Sequence, residues 1–430
     1  MNNSKLFRVF PNDPIPPFVD KADGIYIYTK DGDKILDTTA GGTSYAILGW
    51  NNPEVNSAIE QQLKRFSHID YKLWSDDNTE ELAQLILSRA NHNLDRVYFA
   101  GNSGAEACEA AMKMSYQVRY DMGKPEKKWF ISREQSYHGA TSDALVLGER
   151  PNLEFFRNTL SPYRARIPMH HPLYLKKSDE TLDEYSLRSA KQLEDKILEI
   201  GPENVSGFVA ETIMGGLVGN VPPALNYWKY IREVCDRYDV HLILDEVYCG
   251  TGTTGKVYCC DWDNIDPDFI FIGKTFAAGY GALNAVITSK NIEDVIRNGQ
   301  GRLQHTTTHQ AHSLSVSAAL SVQKIIHNSS FLQHVTDLGK YMRKTLRDEL
   351  GGYDFFYDVR GRGLRFAFEY KCDNQNEFGL KLQQNMLNKH NILMDAKWHR
   401  INFSPGLIIN KDEANFVLEK IITEIKLILT

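Results

Sequence analysis

The feature that most constrains this chain is an alternation running from about residue 50 to 290. Short, nearly continuous apolar runs follow one another, separated by amphipathic stretches. The runs are Arg96–Ala100, Trp129–Ile131, Gly207–Ala210, His241–Leu244, Phe269–Ile272 and Ala285–Thr288. A strand with one wet face alternates polar and apolar residues, whereas an unbroken apolar run marks a strand covered on both faces. Between the runs, Val55, Ile59 and Leu63 recur at helical spacing, as do Tyr227, Ile231 and Cys235. Alternation of this kind calls for right-handed crossovers and a mostly parallel sheet. The expected fold class is α/β, with the large sheet domain over residues 50–300.

The two ends read differently. Residues 1–49 carry a hairpin pattern, Gly24–Tyr28 and Lys34–Asp37, around Lys30-Asp31-Gly32-Asp33. Residues 301–430 carry long helical patterns (313–327, 330–349, 376–389 and 411–428) and two strand candidates, Arg365–Tyr370 and Ile392–Met394. These make a smaller α+β domain, onto which the N-terminal segment is expected to pack. Net charge excludes some functions: 49 Lys+Arg against 55 Asp+Glu gives −6, which argues against a dedicated nucleic-acid binder. No apolar run reaches the roughly 18 residues of a membrane span, and the first residues lack a secretory apolar core. Six scattered cysteines form no C-x-x-C pair and read as reduced core thiols, so a cytoplasmic protein is expected.

Three places carry chemistry. The run His241–Leu244 ends in Asp245-Glu246, a carboxylate pair at a strand's C-terminal end, where open α/β sheets bind ligands. The run Phe269–Ile272 delivers Gly273-Lys274-Thr275, followed by Gly279-Tyr280-Gly281; a lysine there can be desolvated into a Schiff-base nucleophile. The stretch Val97–Glu106 passes from strand through Gly101-Asn102-Ser103-Gly104-Ala105 into a helix, and helix-start amides bind phosphate. Taken singly, each has a bland reading as a cap, a loop or an ordinary strand–helix junction. A nucleotide P-loop is excluded, because position 268, where that motif needs glycine, is Asp. His305, His309 and His312 have a spacing that would share one helical face, but no acidic or thiol partner lies nearby, so no metal site is assigned. His170-His171 reads as a solvated turn.

In this order the three places resemble the class III, or ω-amino acid type, aminotransferases, pyridoxal phosphate (PLP) enzymes of fold type I, and the resemblance covers nearly the whole chain. Gly101–Ala107 resembles the family's N-S-G-S/T-E-A turn, implying cofactor contacts from Ser103, Gly104 and Ala105. Tyr137-His138-Gly139 resembles its Y/F-H-G, whose ring stacks on the cofactor; Leu244–Val247 matches its D-E-V, implying Asp245 on the pyridine nitrogen and Val247 beside it. The Gly273-Lys274 signature implies Lys274 as the Schiff-base lysine and proton shuttle. Glu211 falls at a family glutamate, and Thr308 aligns with a threonine that reaches the phosphate of the neighbouring subunit. Four positions depart from the pattern: Ala105, Thr212, Thr253 and Ala282. A fifth, Asn402, stands where some members carry a substrate-carboxylate arginine, and Arg400 is a nearby cation that could serve instead. Tyr45 and Trp74 are aromatic candidates for the mouth of the site.

The resemblance implies transfer of an amino group from an amine or ω-amino acid donor to a keto acid such as pyruvate. It also implies a homodimer or dimer of dimers with shared sites. An aminomutase, racemase or decarboxylase of the same fold is the alternative, and a non-catalytic PLP-binding relative a more distant one.

Overall fold

A computed structural model describes residues 5–88, 93–149, 156, 160–397 and 399–429. First in the chain come β1 (Val19–Asp23), β2 (Tyr26–Thr29) and β3 (Lys34–Asp37). The large sheet follows: β4 (Arg96–Tyr98), β5 (Trp129–Arg133), β6 (Arg164–Ile167), β7 (Val205–Glu211), β8 (His241–Asp245), β9 (Phe269–Ile272) and β10 (Ala285–Thr288). Its seven strands lie in the order β4-β10-β9-β8-β7-β5-β6. The neighbours from β6 through to β9 pair in parallel. Only β10 is reversed, antiparallel to both β9 and β4. Two reversals cancel, so β4 points the same way as β9. The C-terminal ends of β4, β7, β8 and β9 therefore share one edge of the sheet.

Both faces are covered, as the unbroken apolar runs require. Ile243, Phe269 and Phe271 pack on the alanine-rich helix Gly104–Asp121 through Ala107, Cys108, Ala111 and Val118. Their neighbours Leu242, Leu244 and Ile270 point the other way, into the core that holds Tyr227, Ile231 and Cys235 of the helix Tyr227–Arg237. Strand β6 had no apolar run to announce it. As an edge strand it spends its arginines on polar partners, Arg164 on Asp143 at 2.5 Å and Arg166 on the Gly148 carbonyl at 2.8 Å.

The remaining strands are β11 (Phe356–Arg362), β12 (Arg365–Tyr370), β13 (Ile392–Leu393), β14 (Asp395–Lys397) and β15 (Arg400–Phe403). The expected strand Ile392–Met394 shortens to Ile392–Leu393, and a further strand the sequence did not announce begins at Asp395. β13 pairs in parallel with β3, joining the N-terminal hairpin to the C-terminal region, while β14 belongs to the antiparallel sheet β11-β12-β15-β14. One face of that sheet is aromatic, with Phe366 and Phe403 stacked at 4.5 Å. By alternation the other face carries Arg360, Arg365, Glu369, Arg400 and Asn402. Long helices, Ser313–Ile326, Ser329–Leu350, Gln375–His390 and Lys411–Leu429, complete this end.

Two expectations are corrected. His170 and His171 are not solvated but 1% and 0% exposed. His170 stacks on Tyr227 at 3.7 Å and is held by Ser189 and the Ala224 amide. Residues 305–312 are not helical, so their histidines share no helical face; His309 and His312 instead gather with His68. Among the described residues no helix is long and apolar enough to cross a membrane.

Candidate active site

The edge shared by β4, β7, β8 and β9 assembles the site. The turn after β4 enters the helix Gly104–Asp121 through Ser103, its N-cap, in a reciprocal capping box with Glu106. Glu106 also takes the amides of Asn102 and Ser103, each at 2.8 Å. The amides of Gly104 and Ala105, first in the helix, have no acceptor within it and are suited to an anion. Asn284, which the sequence did not single out, holds this turn from beside β10. Its side chain accepts from the Ala100 amide at 3.1 Å and donates to the Ser103 carbonyl at 2.6 Å.

Asp245 ends β8, 5% exposed. One carboxylate oxygen lies 2.8 Å from Nδ1 of buried His138, and the other accepts from the Val247 amide at 3.0 Å. The carboxylate is thus oriented from both sides. Tyr137, next to His138, is half-buried. Glu211 sits beside Asp245 in register, and burial pushes its carboxyl up to about 7. Glu246, pushed to about 7 by the same cause, is held by Thr212 at 2.9 Å and the amides of Cys259 and Cys260 at 2.7 Å. Thr212, one of the departures from the family pattern, thereby has a job as its hydroxyl donor.

Lys274 follows β9 with φ 42°. This left-handed conformation costs a non-glycine residue about 1–2 kcal/mol, and strain of that kind collects at functional positions. The three motifs press together here. A Cβ on Gly104 would stand 2.6 Å from Val247 Cγ1, and one on Gly273 would stand 3.2 Å from Gly104 Cα. Only glycines let the helix-start turn, the acidic strand end and the lysine turn meet this closely. Tyr248, a second residue the sequence did not single out, presents its ring 5.6 Å from Lys274 Nζ.

The chain matches the family model described as aminotransferase class-III over residues 10–425. It belongs to the class III aminotransferases. Relatives of this aminotransferase include an uncharacterized aminotransferase of Schizosaccharomyces pombe, 35% identical over 86% of this chain and 80% of that one. Gamma aminobutyrate transaminase 2 of Solanum lycopersicum is 30% identical over 93% and 89%. Among solved structures, an omega transaminase from Pseudomonas jessenii in complex with PMP superposes with TM-score 0.90 at 28% identity, covering 96% of this chain and 92% of that one. An amine transaminase from an uncultivated Pseudomonas species, in its PLP-bound form, gives TM-score 0.90 at 25% identity, covering 98% of each.

The aminotransferase is a fold-type-I enzyme that transfers amino groups between an amine donor and a keto acid acceptor, with pyridoxal phosphate as cofactor. The site's donor set suits that cofactor: helix-start amides for a phosphate, an oriented buried carboxylate for a ring nitrogen, and a lysine on the turn after the adjoining strand.

The peripheral candidates are spread more widely. Tyr45 lies on the turn after the lysine, where a Cβ on Gly279 would be 2.6 Å from its ring. Trp74 is 67% exposed. Thr308 is exposed, and its carbonyl lies 3.2 Å from His68 Nε2. Arg400 and Asn402 do share one strand face, since β12 and β15 pair there without a bulge. Arg400 is 4% exposed and donates to the Leu217 carbonyl.

Proposed function

We propose that Lys274 binds the cofactor covalently and carries the donor's Cα proton. Asp245, oriented by His138, holds the pyridine nitrogen protonated. The Ser103-Gly104-Ala105 turn takes the phosphate, with Tyr137 and Val247 flanking the ring and Glu211 beside it. Bound pyridoxal phosphate supplies the electron sink. The observation that carries the assignment is the close packing of Gly273 on Gly104 and of Gly104 on Val247, with Lys274 and Asp245 at the ends of adjacent strands.

We read the donor as a simple amine or ω-amino acid and the acceptor as a small keto acid such as pyruvate. The gamma-aminobutyrate and omega transaminases among its relatives support this, as does Asn402 in place of an arginine. The functional unit is read as a homodimer or dimer of dimers in which Thr308 reaches the partner's phosphate site. Exposed Phe7, Phe10, Leu73 and Trp74 offer the apolar surface for such a contact. Six unpaired thiols fit a reducing, cytoplasmic setting.

Borohydride reduction of the purified enzyme followed by peptide mapping tests the core of this reading. The pyridoxyl label should fall on Lys274. A label on Lys256 or Lys290, or none, overturns it.

A further inference from the structure

The polar face of the sheet β11-β12-β15-β14 carries four arginines, and three have acids beside them. Arg360 pairs with Glu369 at 2.6 Å. Arg362 grips Asp263 through two bonds of 2.6 and 2.9 Å. Arg400 lies in the field of Glu369 and Asp395. Arg365 differs. It is 0% exposed, and among the described residues no carboxylate pairs with it. Its Nη2 donates to the Ser44 carbonyl at 3.0 Å and its Nε to the Tyr248 carbonyl at 3.4 Å. Its Nη1 has no hydrogen-bond partner among the described residues.

A buried guanidinium without a counter-ion is costly, and burial alone already lowers its pKa. Folding tolerates such a group where a ligand later supplies the missing charge. The position of Arg365 indicates which ligand. Its guanidinium carbon lies 5.0 Å from the Tyr248 ring centroid, and Lys274 Nζ lies 5.6 Å from the same centroid. Ser44, which it also touches, precedes Tyr45 at the lysine turn. The guanidinium and the Lys274 amine therefore both lie against the Tyr248 ring.

We propose that Arg365 is the substrate-carboxylate site of this enzyme: it binds the carboxylate of the keto-acid acceptor, with Nη1 as the free donor. The assignment rests on the aminotransferase reading above. It also supplies what Asn402 cannot, since Ala367 opposes Asn402 in the sheet and Arg365 lies two residues along on the same face. A cation reached from the neighbouring strand replaces one on the strand itself. The alternative role, a purely structural clamp between Ser44 and Tyr248, makes opposite predictions.

The test compares wild-type holoenzyme with Arg365→Gln and Arg365→Lys. Propionate, a carboxylate with no amine or carbonyl, should raise the melting temperature of the wild type but not of Arg365→Gln. Without ligand, Arg365→Gln should melt at or above the wild-type temperature, because an uncompensated charge has been removed. The KM for pyruvate should rise about 10- to 100-fold, the range of a charge-assisted hydrogen bond. Donor-side reaction with butylamine, which has no carboxylate, should suffer far less, and Arg365→Lys should recover part of the pyruvate loss. A lower melting temperature for ligand-free Arg365→Gln, or equal losses on butylamine and pyruvate, overturns the proposal in favour of the clamp. An unchanged pyruvate KM also overturns it. If the wild type reacts with no amine, the aminotransferase reading fails by itself, while the propionate arm still reports on Arg365.

Discussion

At the scale of single residues, the site depends on how tightly Asp245 is held. Its two oxygens are committed in different directions, one to His138 and one to the Val247 amide, so the carboxylate cannot swing away from a ring nitrogen placed before it. Asp245→Asn keeps the shape and both neighbours while removing the charge. Proton removal from the donor, followed as single-turnover loss of cofactor absorbance, should slow about 100-fold or more, as when an oriented electrostatic group is lost. The borohydride label on Lys274 should persist. Near-wild-type rates would show that the ring nitrogen has another partner. Of these residues, Asp245 and Lys274 were legible in the sequence because each ends an apolar run. Arg365 was not: an arginine between Leu364 and Phe366 looks like an ordinary strand residue until the fold shows which face is dry and which lacks an acid. Asn284 and Tyr248 were hidden for a related reason, since their roles come from what the turn beside them needs.

At the scale of elements, three turns meet on glycines, and the contact between Gly104 and Val247 should be the most sensitive. A Cβ at Gly104 would stand 2.6 Å from one Val247 methyl and 2.8 Å from the other, so Gly104→Ala must push the acidic strand end away from the helix start. Cofactor affinity, measured by titrating apoenzyme, should fall about tenfold, in the range of overpacking penalties. Adding Val247→Ala should restore much of it, as expected for residues in contact. Additive losses would mean that the two do not press on each other. The elements themselves were uneven in legibility. The central strands β7, β8 and β9 are buried along their full length and announce themselves. Strands β6, β11 and β14 carry charges such as Arg164, Asp358 and Asp395, and no apolar run marks them. That Ile392–Leu393 joins one sheet and Asp395–Lys397 another depends on tertiary pairing that local pattern cannot encode.

At the scale of the whole molecule, Thr308 sits exposed on a loop pinned by His68, far in sequence from the phosphate turn it is proposed to serve in a second copy. Mixing Lys274→Ala with Thr308→Trp under exchange conditions should therefore regenerate activity in heterodimers, approaching half of one wild-type site per dimer as exchange nears completion; full activity from a monomer in sedimentation would refute the shared site. The chain's ends raise a separate matter of timing. Thr38, just past β3, bonds to the Leu393 carbonyl, a partner 355 residues later. At ribosomal speeds of about 5–20 residues per second, the N-terminal hairpin waits roughly 20 to 70 seconds for the strand that completes its sheet. Until then it presents an open edge to the cell's chaperones, so shortening the chain before Ile392 should cost the protein its beginning as well as its end.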